Sequence, residues 1–96
     1  MTNTEIIYKA TASYLGLDED AAAALMLSGK FPAYHTYEAW KESGYQVQKG
    51  EKASFSARIW KSVDKKTDDG QKIKVMIMKT AHFFGRDQVK PIQSAQ

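Results

Sequence analysis

The stretch Ala53-Ser54-Phe55-Ser56-Ala57-Arg58-Ile59-Trp60-Lys61 alternates residue by residue and leaves little choice of local structure. Ala53, Phe55, Ala57 and Ile59 point one way; Ser54, Ser56, Arg58 and Trp60 point the other. Period-two alternation describes a β-strand buried on one face only. Such a strand needs a partner, and residues 72–81 supply it. They carry Ile73, Val75, Ile77, Lys79 and Ala81 on one face and Lys72, Lys74, Met76, Met78 and Thr80 on the other. Between the runs, the polar residues 62–71 read as a loop, with Asp69-Gly70 as its turn signal. Ile73, Val75 and Ile77 are taken as the inward set, with Met76 and Met78 as filler beneath a helix. His82-Phe83-Phe84 extends the second strand, and Gln88 to Ile92 forms a short closing segment.

The residues before this hairpin read as helices. Thr2-x-x-Glu5 is a capping box, Ile6, Ile7, Ala10 and Tyr14 follow at helical spacing, and Gly16 offers a left-handed stop. Asp18 caps a second helix whose first turn holds Glu19 and Asp20, which accounts for that acidic triplet without a metal. The helix continues through Ala21 to Leu27 and ends at Ser28-Gly29. Lys30 to His35, interrupted by Pro32, is extended. Thr36 caps a third helix, Tyr37 to Ser43, on which Tyr37 and Trp40 share a face expected in the core. The whole reads as α+β, with short N-terminal helices packed on a small antiparallel sheet or hairpin. It divides into an acidic helical segment (1–29), an α+β core (30–92) and a frayed tail (93–96).

Several function classes are excluded or disfavoured. Ninety-six residues fit one domain. The absence of cysteine removes disulfides, thiolate metal sites and cysteine nucleophiles, which suits a cytoplasmic protein. The longest apolar run, Ala21 to Leu27, is far too short for a membrane span, and residues 1–5 do not resemble a signal peptide. Only His35 and His82 are available as imidazoles, in no zinc motif, and there is no nucleophile elbow, phosphate loop or dinucleotide fingerprint. No catalysis, cofactor or metal is expected.

Charge is unevenly spread. Residues 1–29 hold one base, Lys9, and four acids; residues 30–96 hold thirteen bases and seven acids, with both tryptophans and all four phenylalanines. Cations mixed with flat rings suit a single-stranded nucleic acid, while the same composition also describes a β-rich core ringed by solvated lysines. In the tetrapeptide Lys49-Gly50-Glu51-Lys52, Gly50 permits a tight turn that brings two lysines and backbone amides to one edge, as does any ordinary hairpin-type turn. Arg58 and Trp60 are neighbours on the polar side of their strand. There Trp60 is either a stacking platform or a ring covered by a helix. Tyr34 and His35 lie in the extended segment, where exposure is expected.

Tyr34 to Ala53 resembles the N-terminal single-stranded-DNA-binding domain of ArdC-type antirestriction proteins of plasmids, phages and related mobile elements. The matching residues are Thr36, Tyr37, Gly44, Val47, Lys49, Gly50, Glu51 and Lys52, supported by Ile59-Trp60-Lys61, Phe84 and Asp87-Gln88-Val89, so the likeness spans about residues 30–92. It implies single-stranded DNA as partner and protection of incoming DNA from restriction. Full-length relatives carry a metallopeptidase-like domain; with no zinc motif here, that activity is not carried over. The expected interface is a shallow basic groove. Lys49, Lys52, Arg58, Lys74, Lys79 and Arg86 would contact phosphates, with Trp60 and Tyr34 stacking on bases. Lys74 and Lys79 fall on opposite strand faces, so at most one shares the face of Arg58. The alternative is a protein-binding inhibitor or adaptor acting on a host defence nuclease, docking through the acidic helices or the Trp60 face.

Overall fold

The computed structural model describes residues 1–93. Two helices open the chain, α1 (Asn3–Tyr14) and α2 (Glu19–Leu27). Thr2 caps α1 by accepting the Glu5 amide, while its own hydroxyl donates to the Glu5 carboxylate. Asp18 caps α2 by accepting the Ala21 amide at 2.7 Å. Gly16 and Gly29 take the left-handed conformation (φ 71° and 74°) that ends each helix. There follow β1 (Tyr34–Thr36), α3 (Tyr37–Glu42), β2 (Tyr45–Val47), β3 (Phe55–Lys66), β4 (Lys72–Gly85), a 3-10 turn (Arg86–Gln88) and β5 (Val89–Pro91). The architecture is α+β.

Two antiparallel sheets form, one ordered β1-β4-β3 and one pairing β2 with β5. The long hairpin pairs Phe55 with Phe83, Ile59 with Lys79, Trp60 with Met78 and Lys66 with Lys72, in one unbroken register. Its strands outrun the expectation: residues 62–66 continue β3, and the turn is confined to Thr67–Gln71, where Gly70 has φ 84°. The β2–β5 sheet was not foreseen, because each strand is only three residues long. Of the expected tail, residues 94–96 lie outside the described residues.

The core sits at the base of the hairpin. Phe83 is fully buried, with Ile59 and Ala81 beside it and Ile6 and Ile7 of α1 packed against them. Enclosing a phenylalanine this way contributes about 1.5–3 kcal/mol. Phe55 stacks on Phe83 at 5.2 Å, and Tyr14 and Tyr34 close on Phe55 from the helix and β1. The inward set expected on β4 is therefore corrected. Ile73, Val75 and Ile77 do share the face of Ala81 and Phe83, yet Ile73 is 44% exposed and the other two only half-buried. They lie beyond the reach of the core, along an arm that outruns it. Met76 is exposed and Met78 half-buried, on the opposite face from α1's contacts, so neither fills space beneath a helix. Trp40 is buried and donates its ring N–H to the Phe84 carbonyl at 2.8 Å, whereas its expected core partner Tyr37 is 51% exposed.

Candidate functional site

Asn3 marks which backbone groups of the hairpin face outward. Its side-chain amide donates to the Trp60 carbonyl (2.9 Å) and its side-chain oxygen accepts from the Trp60 amide (2.8 Å), imitating a strand neighbour at the outer edge of β3. Trp60 thus turns its backbone away from β4. In an antiparallel ladder the next residues turn inward, so Ile59 and Lys61 bond to β4. By the same alternation, the backbone groups of Thr80 and His82 point out of the far edge of β4. β1 covers that edge only from Phe83 to Gly85.

Two surfaces result. The first is the face of the hairpin that carries Arg58, Trp60, Lys66, Lys72, Lys74, Met76 and Met78. Every position on it from Ser56 to Lys66 and from Lys72 to His82 is exposed except Met78. Asp64, opposite Lys74, is the single acid on it. Trp60 is 40% exposed, its ring N–H donating to the Met1 carbonyl at 3.2 Å, and with Thr2, Asn3 and Met76 it borders a cavity of about 450 Å³. The N-terminus therefore props the ring at its edge and leaves part of its surface to solvent.

The second surface is a cleft of about 510 Å³ between α3 and the open edge of β4. It is lined by Thr36, Tyr37, Lys52, Lys61, Lys79 and His82, among others. Lys61 pairs with Glu38 at 3.6 Å, and among the described residues that is the one ion pair. Lys52 reaches this cleft because Gln88 fixes its backbone. The buried Gln88 amide donates to the Lys52 carbonyl (2.6 Å) and the Glu51 carboxylate (3.1 Å), and accepts from the Ser54 hydroxyl (2.7 Å) and the Gly85 amide (2.8 Å). The Gln48 amide adds a bond to the Gln88 carbonyl. Gly50, at φ 88°, makes the turn between them.

The eight residues singled out from the sequence thus separate. Arg58, Trp60 and Lys74 share the open face; Lys52 and Lys79 share the cleft; Lys49 is exposed on the turn but does not line the cleft. Arg86 stands apart, its guanidinium 4.5 Å over the Tyr45 ring and donating to the Val89 carbonyl. Tyr34 departs most from expectation. Instead of standing exposed, it packs among Tyr14, Phe55 and the hairpin core, and this burial, with the nearby Tyr14 and Asp87, raises its hydroxyl pKa above 10.0. Sequence reasoning missed Lys61, Lys66, Lys72, Gln88 and Asn3. Carrying the alternation of 53–61 through residue 66 would have placed Lys66 on the same face as Arg58 and Trp60. Among the described residues no cluster of His, Asp or Glu is arranged to hold a metal, and no helix is long and apolar enough to cross a membrane.

The family model for the N-terminal domain of the anti-restriction factor ArdC matches residues 21–86, more than half of the chain. The chain belongs to the ArdC N-terminal domain family. The match starts inside α2, ahead of the boundary at residue 30 drawn from motifs alone. Among solved structures, this ArdC-family chain is similar to the antirestriction ArdC protein from the R388 plasmid, in its metal-free crystal structure. The two are 28% identical with a TM-score of 0.41, over 62% of this chain and 22% of that one. Among curated proteins none matches.

Proposed function

We propose that this ArdC-family chain is a non-catalytic single-stranded-DNA-binding protein of a phage or other mobile element, protecting DNA from restriction in the host cytoplasm. The observation that carries this reading is the open hairpin face, where a part-exposed Trp60 lies next to Arg58 and the cations Lys74, Lys72 and Lys66 continue along the same face, with only Asp64 opposing them. Cations along a strand track a phosphate backbone, and an indole edged by methionine offers a base a flat apolar surface. Stacking and phosphate contacts read little of the base, so sequence preference is expected to be small.

Fluorescence anisotropy with labelled single-stranded and duplex oligonucleotides, at several salt concentrations, tests the reading. The expected result is preference for the single strand with affinity falling as salt rises. Trp60→Ala should weaken binding by about ten- to a hundredfold. Equal, weak binding to both forms would leave only nonspecific attraction, and no binding at low salt would defeat the proposal. A second reading, a protein-binding inhibitor of a host nuclease, is favoured by one feature. Ile73, Val63, Val75 and Ile77 form a partly open apolar strip on the other face of the arm. If Arg58→Ala and Trp60→Ala leave DNA binding intact while Ile73→Ser abolishes capture of a nuclease, the second reading replaces the first.

A further inference from the structure

We infer that the cleft between α3 and the open edge of β4 is a nucleotide-phosphate subsite, in which Lys52 and Lys79 hold phosphate and Tyr37 meets the attached sugar or base. The inference rests on the single-stranded-DNA reading and adds to it a second contact region, away from Trp60.

Three elements bring a lysine to this one cleft: Lys52 from the turn, Lys61 from β3 and Lys79 from β4. The lining holds one carboxylate, Glu38, to set against these three lysines. Only Lys61 has a carboxylate partner, Glu38, and neither Lys52 nor Lys79 has one among the described residues. The lining therefore carries two uncompensated positive charges, which an anion would relieve. Lys52 is not placed there by chance of a loose loop: the Gln88 side chain bonds to Glu51, Lys52 and Ser54 on one side of the turn, and Gln48 on the other side bonds to the Gln88 and Asp87 carbonyls. The remaining lining suits a nucleotide more than a bare anion. Tyr37 is half exposed at the rim, and the unpaired edge of β4 offers backbone donors and acceptors at Thr80 and His82. The cleft is also within the volume range of sites that hold small ligands. An extended acidic peptide would meet the same lysines, but the exposed aromatic beside them favours the nucleotide.

Phosphate of this kind comes from two sources, a strand end or an internal linkage, and the experiment separates them. Amide NMR spectra of the full chain are recorded with thymidine monophosphate, with thymidine, and with short oligothymidylates bearing or lacking a terminal phosphate. The proposal expects shifts at Lys52, Lys79 and Thr80 with the monophosphate and not with thymidine. If the terminal phosphate strengthens oligonucleotide binding, the source is a strand end; equal shifts with both oligonucleotides assign an internal phosphate. Lys52→Gln and Lys79→Gln should each lower the salt-dependence slope by roughly 0.7. Glu38→Gln, which releases Lys61, should tighten binding, an effect that damage to the fold would not produce. If Arg58→Ala weakens oligonucleotide binding while none of the cleft changes does, the subsite is wrong and the DNA reading stands. If wild type binds no single strand at all, the parent reading fails, and the monophosphate titration alone then decides the cleft. Shifts in the cleft with polyglutamate but not with the monophosphate overturn the inference in favour of a protein partner.

Discussion

Gln88 illustrates how much a single side chain does once the chain has closed on itself. It opens the short closing segment expected over residues 88–92, and all four of its amide hydrogen bonds are made, to residues 51, 52, 54 and 85. No sequence pattern announces this, since three of its four partners lie over thirty residues away and two of the four are backbone groups. Gln88→Leu should lose about 1–3 kcal/mol of stability in urea unfolding, because it leaves buried polar groups without partners. Gln88→Glu keeps the shape but turns two donors into acceptors that face the Lys52 carbonyl and the Glu51 carboxylate, and it should be at least as damaging at neutral pH. Tyr34 makes the opposite point. Its place before the third helix was legible, its burial was not, because two neighbours that enclose it, Tyr14 and Phe55, come from distant segments. Burial first, then the negative fields of Tyr14 and Asp87, raise its pKa above 10.0. The folded state therefore holds this proton more tightly than the unfolded one. The resulting stability is intact below pH 10 and is lost as pH rises from there through the raised value. Compared with wild type, Tyr34→Phe should show a shallower alkaline loss in thermal melts.

At the level of elements, local rules worked wherever the signal was local. Thr2, Asp18 and Thr36 cap the helices they were expected to cap, and Gly16, Gly29 and Gly44 end them. The two faces of the hairpin were also legible, because side-chain parity is fixed by the strand itself. What failed was the strand's length. Ser62, Asp64, Lys65 and Lys66 look like loop residues, yet they form ladder pairs, since pairing uses backbone groups and does not require burial. The turn that closes them is organised by side chains: the Thr67 hydroxyl bonds the Asp69 carboxylate, and the Gln71 amide reaches both. Those bonds, the Thr67 contact foremost, hold the Asp69 pKa below 3.8. A lowered carboxylate pKa stabilises above the unfolded value and ceases to do so as pH falls through the folded one. Amide exchange at the tip should accordingly accelerate as pH drops below about 4, relative to the intrinsic rate, and Asp69→Asn should remove that dependence.

Taken whole, the molecule is a small base with a long arm. Its radius of gyration is 16.5 Å, against about 12–13 Å for a compact chain of this length, and its thinnest dimension is 23 Å. The sequence named the right family and the right pair of strands, but extension of this kind is a property of where the core stops. Ile59, Ala81 and Phe83 end the tightly packed region, and beyond them the hairpin carries Lys65, Lys66, Lys72 and Lys74 outward with only partly buried Val63, Val75 and Ile77. A structure that spends four cations on an arm with so little packing gains stability from it sparingly, which suits a surface kept for a partner. The division predicts separable effects. Removing residues 64–74 and joining Val63 to Val75, a bonded pair of the ladder, through a two-residue Asn-Gly turn keeps the core, the Gln88 bonds and the Asn3 contact with Trp60. Its melting temperature should fall by no more than about 5 °C. Its affinity for single-stranded DNA should drop, and the salt slope should decline by roughly 0.7 for each cation that had been contacting phosphate. If the shortened protein stays folded and binds with an unchanged slope, the arm contributes no phosphate contacts, and the interface lies at the base, around the cleft that Lys52 and Lys79 share.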